Sequence, residues 1–241
     1  MMNIIAVDPS LISTGLVVSN GESFKIFNYC REDSANGKTG MKKWFKMAEQ
    51  YLIYRYIDYR EYSDYSEGEL VKLKDYDTIT DAILQDILDN INPDLPTKIG
   101  IEGYSFSSTA GDIIDLVTFS TLLRKKLFDR ISEDILVLSP STLKLESCKL
   151  TYKPIEKQIG GKNPRIEYIY KNNWGISGGN FKKPDMLRAI VDNSDLTDYW
   201  ATHCKSVQTD LFAVSNIPKP YEDCNDAFLI YHILKKQNPT E

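Results

Sequence analysis

The sequence predicts an α/β fold with a mixed five-stranded sheet flanked by helices. Three β-like runs joined by short turns open the chain, and two more apolar runs follow farther on, separated by helical patterns. The last apolar segment again has helical spacing. Antiparallel strands can be joined by tight turns, whereas parallel strands need a crossover that is usually a helix. This order therefore predicts three antiparallel strands followed by two helix-linked strands.

The first three strands are predicted by apolar runs and by the turn residues between them. Residues 3–8 form a nearly continuous apolar run, as in a buried strand. A Pro-Ser pair then turns the chain into a second strand at residues 15–19. An Asn-Gly pair follows as a strong hairpin signal, and it leads into a third strand at residues 23–29.

The remaining elements are predicted by helical spacing and by short apolar runs. Helices are predicted over residues 42–57, 78–91 (capped by Asp77 or Thr78) and 111–130, with two more beginning near Pro184 and Pro220, and strands over residues 98–102 and 134–138. We expect residues 1–241 to form one domain. Within it, residues 31–77 are predicted to be an insertion, and residues 150–181, rich in Lys, Gly and Asn, a basic loop or small subdomain.

Composition places the chain among ordinary globular proteins. Of its 241 residues, 42% are hydrophobic and 26% are charged. No apolar run approaches the roughly 18 residues of a membrane span, and the first residues enter a strand pattern rather than a secretory signal. The four cysteines show no CxxC spacing and no dense disulfide framework, and the spacing of His203, Cys204 and Cys224 is only a weak signal for a zinc site. These features predict a cytoplasmic protein with free thiols and no membrane contact.

The charge is distributed unevenly along the chain. The net charge is −5, but residues 58–94 carry eleven acids and three bases, whereas residues 141–188 carry ten bases and four acids. A local basic surface is what phosphate binding requires, and the overall sum does not exclude it. A charge run is also commonly just a solvated face, so this observation permits a nucleic-acid partner without identifying one.

Four acidic residues lie at the ends of elements, where their side chains can converge. Asp8 ends the first predicted strand and Glu102 the fourth, while Asp223 and Asp226 lie three residues apart at the start of the last helix. Residues three apart on a helix share a face, and open α/β sheets bind ligands at strand ends. Carboxylate oxygens suit Mg²⁺ or Mn²⁺, and two such ions can activate water for phosphodiester hydrolysis. The pattern predicts a two-ion metal site.

Each acid also has a structural explanation when it is taken alone. Asp8 can begin the turn that follows it, Glu102 can simply end a strand, and the two later aspartates can cap the last helix. The order and setting of all four together favour a metal site over these separate explanations.

Three motifs that contain these acids resemble those of RuvC-type Holliday junction resolvases. They are residues 8–15, with an Asp-Pro pair and a Thr-Gly pair, residues 101–104 (Ile-Glu-Gly-Tyr) and residues 223–227 (Asp-Cys-Asn-Asp-Ala). The resemblance implies a ribonuclease H-like fold, which the predicted element order matches. It also implies Mg²⁺-dependent cleavage of four-way DNA junctions by a homodimer that nicks two strands symmetrically.

The sequence departs from the family pattern in two respects. Ser10 stands where the family has glycine, and segments 31–77 and 150–181 are longer than in compact bacterial members. Enlarged versions of this kind resemble bacteriophage-encoded resolvases, which act on branched replicating genomes. The departures bear on the substrate more than on the chemistry.

The residues expected to contact DNA are aromatic or basic. Tyr104 and Phe106 closely follow Glu102, where the resemblance implies an aromatic side chain that opens the junction by stacking on bases. Lys182 and Lys183 resemble a basic stretch that approaches the scissile phosphate. Further cations of the basic segment predicted to bind DNA are Lys162, Arg165 and Arg188. A core position for Phe106 and solvated surface lysines are the structural alternatives.

Three other functions compete with junction resolution. A flap or Y-branch endonuclease of the same fold would use the same acids on a different substrate. An actin-like ATPase also has a strand-end aspartate, but it needs duplicated domains and a second Gly-rich phosphate loop, for which this chain is too short. The presence of all four acids argues against a junction-binding protein without catalytic activity.

Overall fold

The computed structural model describes residues 1–32, 39–104, 110–160, 165–174 and 180–237. A central sheet has six strands, which are β1 (Asn3–Asp8), β2 (Ser13–Ser19), β3 (Phe24–Arg31), β4 (Ile53–Ile57), β5 (Thr97–Glu102) and β6 (Ile135–Leu138). Their order is β4-β3-β2-β1-β5-β6. Strands β1, β2 and β3 are antiparallel neighbours, whereas β5 runs parallel to both β1 and β6. This is the predicted α/β fold, in which three antiparallel strands precede two helix-linked strands.

Helices cover both faces of the sheet. They are α1 (Thr39–Ala48), α2 (Tyr65–Leu88), α3 (Ala110–Arg130), α4 (Pro140–Thr151), α5 (Lys183–Val191), α6 (Tyr199–Ser206), α7 (Gln208–Phe212) and α8 (Tyr221–Gln237). A separate two-stranded antiparallel ribbon consists of β7 (Ile155–Ile159) and β8 (Arg165–Ile169). Within the described ranges, no helix has both the length and the apolar character needed to cross a membrane.

The sixth strand, β4, corrects the predicted helix over residues 42–57. Helix α1 ends at Ala48, and the backbone turns there, with the amides of Tyr51 and Leu52 donating to the Ala48 carbonyl. The following Ile-Tyr-Arg-Tyr-Ile run pairs in parallel with β3. Such β-branched and aromatic residues fit a pleated surface, so the prediction of a single helix was wrong beyond Ala48.

Helix α2 begins earlier than predicted. Asp64 caps it by accepting a 3.0 Å hydrogen bond from the Glu67 amide. The expected cap at Asp77 or Thr78 is wrong, because both residues lie inside the helix. There the Thr78 hydroxyl donates to the Lys74 carbonyl at 2.8 Å. This hydrogen bond satisfies the hydroxyl, so threonine, which often caps helices, is accommodated within the helix.

The predicted basic loop at residues 150–181 contains regular structure. In the described part of this segment, β7 and β8 pair from Ile155 opposite Ile169 to Ile159 opposite Arg165. Ile155, Ile166 and Tyr168 are each more than half exposed. Because the ribbon buries so little apolar surface, the sequence shows only weak periodicity in this region.

Two apolar cores explain the continuous apolar pattern of the first strand. Ile4 and Ala6 pack with residues of α4, α5, α6 and α8 on one face of the sheet. Ile5 and Val7 pack with residues of α2 and α3 on the other face. A strand buried on both faces has apolar residues on both, so apolar and polar residues do not alternate along it.

Helix α8 is buried on nearly every side, and it lies across β1, β2 and β5.

Candidate metal centre

Asp8 and Glu102 lie side by side where two neighbouring strands end. Strands β1 and β5 are parallel, and their register pairs Val7 with Ile101, so the next residue of each strand is an acid. Asp8 is buried, with 7% exposure, and Glu102 is half-buried. Parallel pairing of β1 and β5 therefore sets the spacing of these two carboxylates.

Helix α8 brings the other two acids to the same strand ends. Asp223 and Asp226 lie near its amino terminus, and both are almost completely buried. Asn225, between them, accepts a 2.9 Å hydrogen bond from the indole nitrogen of buried Trp200. This contact fixes the rotation of α8 against α6. The exposed amide groups of a helix amino terminus also favour nearby negative charge.

Three of the four acids offer oxygens close enough to share one cation. One carboxylate oxygen each from Asp8, Glu102 and Asp226 lies within 4.8 Å of the other two. Hard oxygen donors in this number are typical of Mg²⁺ and Mn²⁺ sites. We call these three acids together with Asp223 the carboxylate cluster.

The electrostatics of the cluster are those of crowded buried acids. Burial raises the pKa of Asp8 well above its ordinary value, and the negative charges of Glu102 and Asp223 raise it further. Lys183 opposes this shift without cancelling it. Burial and the neighbouring negative charges therefore disfavour the ionised form of Asp8. A bound cation would favour the ionised form, because it neutralises the neighbouring negative charges.

Asp223 is held differently from the other three acids. Its Oδ1 accepts a 2.5 Å hydrogen bond from the ammonium group of Lys219, four residues earlier. Its Oδ2 is buried and has no hydrogen-bond partner among the described residues. A buried carboxylate oxygen without a partner is costly, so this atom is suited to receive a cation.

Lys183, predicted to approach the scissile phosphate, contacts a cluster acid and has a side chain that is 37% exposed. Its ammonium group contacts the Asp226 carboxylate and lies 4.0 Å from Glu222. Burial lowers the pKa of Lys183, but the charges of Asp8, Glu102, Glu222 and Asp223 outweigh burial and raise the pKa overall. Lys183 therefore stays protonated and compensates part of the negative charge.

The sequence matches no protein-family model, and no curated protein matches it. Two solved structures of RuvC are similar. RuvC of T. thermophilus in complex with a Holliday junction substrate has a TM-score of 0.43 and 7% identity, with 99% of this chain and 97% of that chain covered. A second structure of Thermus thermophilus RuvC has a TM-score of 0.41 and 9% identity, covering 96% of this chain and 92% of that chain. At this level of similarity, the chemistry of the cluster is inferred from the chain's own residues alone.

The motif that follows Asp8 has a structural explanation in the turn between β1 and β2. The Thr14 hydroxyl donates to the Ser10 carbonyl at 2.8 Å and accepts from the Ser10 amide at 3.1 Å. A Cβ atom on Gly15 would lie 2.3 Å from the Asp223 carbonyl oxygen, so only glycine lets α8 approach β2 this closely. Thr14 fixes the turn after Asp8, and Gly15 admits the helix that carries Asp223.

The predicted aromatic contacts are only partly described. Tyr104 is half-buried, its hydroxyl lies 3.3 Å from the Thr121 hydroxyl, and the Arg124 guanidinium stands 4.7 Å from its ring centroid. Phe106 lies outside the described residues. Tyr104, two residues beyond Glu102, thus forms a cation–aromatic pair with Arg124 of α3.

The predicted basic contacts are dispersed. Lys182 is exposed next to the cluster, and its backbone amide donates to Asp185 at 2.9 Å. Arg188 is exposed on α5 and stacks over the Phe212 ring at 4.9 Å. Lys162 lies outside the described residues, and for Arg165 the structure describes only the backbone of β8. Of the predicted DNA contacts, Lys183 alone is described in contact with a cluster acid.

Sequence reasoning missed Lys219 and Arg124. Lys219 precedes Asp223 by four residues, a spacing at which opposite charges on a helix meet. That spacing was available as a signal, although residue 219 lies before the helix proper. Arg124 had no such signal, since its position beside Tyr104 depends on how α3 packs against the strand end.

Proposed function

We propose that the chain is a divalent-metal-dependent endodeoxyribonuclease that resolves four-way DNA junctions. The single observation that carries the nuclease assignment is the convergence of Asp8, Glu102 and Asp226 within 4.8 Å on the edge of a ribonuclease H-like sheet. The choice of four-way junctions over other DNA rests on the resemblance of the three acidic motifs to RuvC-type resolvases.

The donor set fits Mg²⁺, with Mn²⁺ as a substitute. The three converging acids can hold one ion, and the unpartnered Oδ2 of Asp223 supports a second position beside it. When bound, a pair of such ions lowers the pKa of an attacking water and stabilises charge on the leaving oxygen. Two ions per site is the arrangement that we propose.

The chain's own residues orient these groups and limit the charge that accumulates. Paired strands fix Asp8 beside Glu102, and the Asn225 contact to Trp200 fixes the helix that carries the aspartates. Lys183 contacts Asp226 and compensates part of the excess negative charge. Without such compensation, four carboxylates would repel both one another and an incoming phosphate.

The DNA surface that we propose adjoins the cluster. Tyr104, which contacts Arg124, lies two residues beyond Glu102, and exposed Lys182 directly precedes Lys183. An aromatic face stacks on any base, and an exposed lysine binds any phosphate, so this surface is suited to branch shape rather than base sequence. Phe106, Lys162, Arg165 and Arg188 remain proposed DNA contacts.

The assembly that we propose is a homodimer in the cytoplasm. A four-way junction has near two-fold symmetry, and paired nicks need two active sites at a fixed separation. Each protomer would consist of a single nuclease domain carrying one carboxylate cluster.

A cleavage assay on matched DNA substrates tests this function. We expect Mg²⁺-dependent paired nicks in a four-way junction, and little cleavage of a linear duplex of the same sequence. Asp226→Asn should lower cleavage on the order of 100-fold or more while junction binding persists, because a metal ligand is lost and the basic surface remains. Asp129→Asn, on an exposed pair with Lys125, is the matched control.

Two outcomes of that assay would contradict the proposal in different ways. Wild-type activity in the Asp226→Asn variant would remove the carboxylate cluster as the catalytic site. Cleavage of flap or Y-branch DNA in preference to the junction would keep the chemistry and change the substrate.

A further inference from the structure

Lys219 makes a contact in the carboxylate cluster that the proposed function leaves unexplained. Lys219 is partly buried, and its ammonium group lies 2.5 Å from Asp223 Oδ1. The Asp223 side chain is only 4% exposed. An exposed ion pair would contribute little and would tolerate many geometries, whereas this pair places a cation beside a proposed metal ligand.

The two oxygens of Asp223 have different surroundings. Oδ1 is bound by Lys219, whereas Oδ2 is buried without a hydrogen-bond partner among the described residues. A lysine that only neutralised the carboxylate would leave no reason for one oxygen to remain buried and unpaired. A carboxylate held by one oxygen is instead oriented, and its other oxygen points in a fixed direction.

The local backbone keeps Lys219 in place. The Glu222 amide donates to the Pro218 carbonyl at 3.2 Å, and the Cys224 amide donates to the Pro220 carbonyl at 3.1 Å. The chain is therefore turned through this segment, and Lys219 lies one helical turn before Asp223. Burial lowers the pKa of Lys219, but Asp223 and its neighbouring acids raise it overall, so the ammonium stays charged.

We propose that Lys219 is a positioning residue that binds Oδ1 of Asp223 and so presents Oδ2 as a single-oxygen ligand to a divalent cation. The inference rests on the proposed function, since it assigns a role within the same metal site. It differs from the role of Lys183, which contacts Asp226 from a separate element. Ligand orientation by hydrogen-bonded neighbours is a general requirement of metal sites.

Calorimetric titration with Mn²⁺ tests this role without using activity. Lys219→Met should weaken the binding event that involves Asp223 by about 10–100-fold, the usual loss when a partner of a metal ligand is removed. Lys219→Arg, which keeps both donor and charge, should restore most of the affinity. Lys43→Met, which breaks the exposed Lys43–Asp210 pair, should bind Mn²⁺ as the wild type does.

A second background separates orientation from general damage to the fold. In the Asp223→Asn background, Lys219→Met should cause no further loss of Mn²⁺ affinity, because the two residues act through one ligand. If Lys219→Met does not fold, Lys219→Gln keeps an amide donor and carries the same test, with an expected loss of about tenfold.

Three results would overturn the inference. Equal Mn²⁺ affinity in Lys219→Met and wild type would show that Lys219 does not orient the ligand. Tighter binding in Lys219→Met would show that Lys219 competes with the cation. Failure of the wild type itself to bind Mn²⁺ would overturn the proposed function, and this role would fall with it.

Discussion

At the scale of single residues, Gly15 is where the strand that follows the Asp8 turn lies against the helix that carries Asp223. A Cβ atom there would overlap the Asp223 backbone, at 2.3 Å from the carbonyl oxygen and 2.7 Å from the carbonyl carbon. Neither atom can move without displacing α8. Gly15 thus acts on the metal site through backbone spacing, although it has no side chain.

Gly15→Ala should therefore affect both stability and metal binding. We expect the free energy of unfolding to fall by about 1–3 kcal/mol, the typical cost of overpacking, with weaker Mn²⁺ binding as Asp223 shifts. Denaturant unfolding and calorimetry measure the two effects. Gly160→Ala is the control, because a Cβ at Gly160 meets no atom within 4 Å. Unchanged stability in Gly15→Ala would contradict the close approach of α8 to β2.

Two adjacent lysines should separate DNA binding from metal chemistry. Lys182 is exposed, whereas Lys183 contacts Asp226. Lys182→Gln should weaken junction binding and reduce its salt dependence by about one unit of slope, as expected when one phosphate contact is lost. Lys183→Gln should instead alter the metal dependence of cleavage. Junction affinity measured from low to moderate salt distinguishes the two variants. An unchanged salt dependence of affinity in Lys182→Gln would show that this lysine contacts no phosphate.

At the scale of elements, the unpredicted strand β4 is joined to α2 by hydrogen bonds to a buried aspartate. Asp86 on α2 accepts hydrogen bonds from Arg55 at 2.7 and 2.8 Å and from the Tyr29 hydroxyl at 2.5 Å. Burial raises the pKa of Asp86, but the bonds from Arg55 and Tyr29 outweigh burial and lower the pKa overall. The sheet edge is therefore held by an ionised carboxylate.

This contact should make the stability of the fold sensitive to acid. The folded pKa of Asp86 lies below the unfolded value of about 3.9, so the unfolded chain binds more protons. The contribution is fully present above about pH 4 and is lost as the pH falls through the folded pKa. Asp86→Asn should lower stability at neutral pH and flatten its decline below pH 4, measured by denaturant unfolding across pH. Asp210→Asn, on an exposed pair, should retain the wild-type profile.

The sequence predicts elements well where one physical signal dominates. Buried strands β1, β2 and β3, the long helix α3 and the buried helix α8 all have strong apolar patterns. Strand β4 and the β7–β8 ribbon were missed because they lie at an edge or outside the core, where side chains are largely exposed. Their existence depends on tertiary pairing, which local patterns do not encode.

At the scale of the whole molecule, the spacing of the acids along the sequence indicated where they would meet. Strand ends and a shared helix face were enough to predict that Asp8, Glu102 and Asp226 converge. The placement of Lys183 inside the cluster was not predictable, because it depends on how α5 packs beside α8. Lys219 was missed for a different reason: its four-residue spacing from Asp223 is a charge-pair signal, but residue 219 precedes the helix.

The proposed homodimer makes a prediction about association. Part of α3 already packs in the core, since Leu123 and Leu127 are buried there. Sedimentation velocity at micromolar concentration without DNA should show a species of twice the chain mass. A strict monomer would count against coordinated paired nicking and favour the flap or Y-branch nuclease.

The burial of α8 across three strands also sets an order of events during synthesis. The strands that carry Asp8 and Glu102 are translated well before Asp223 and Asp226 of α8. A partly synthesised chain therefore holds only half of the cluster. The DNA-cutting activity that we propose would be absent from such partly synthesised chains and would arise only as α8 docks.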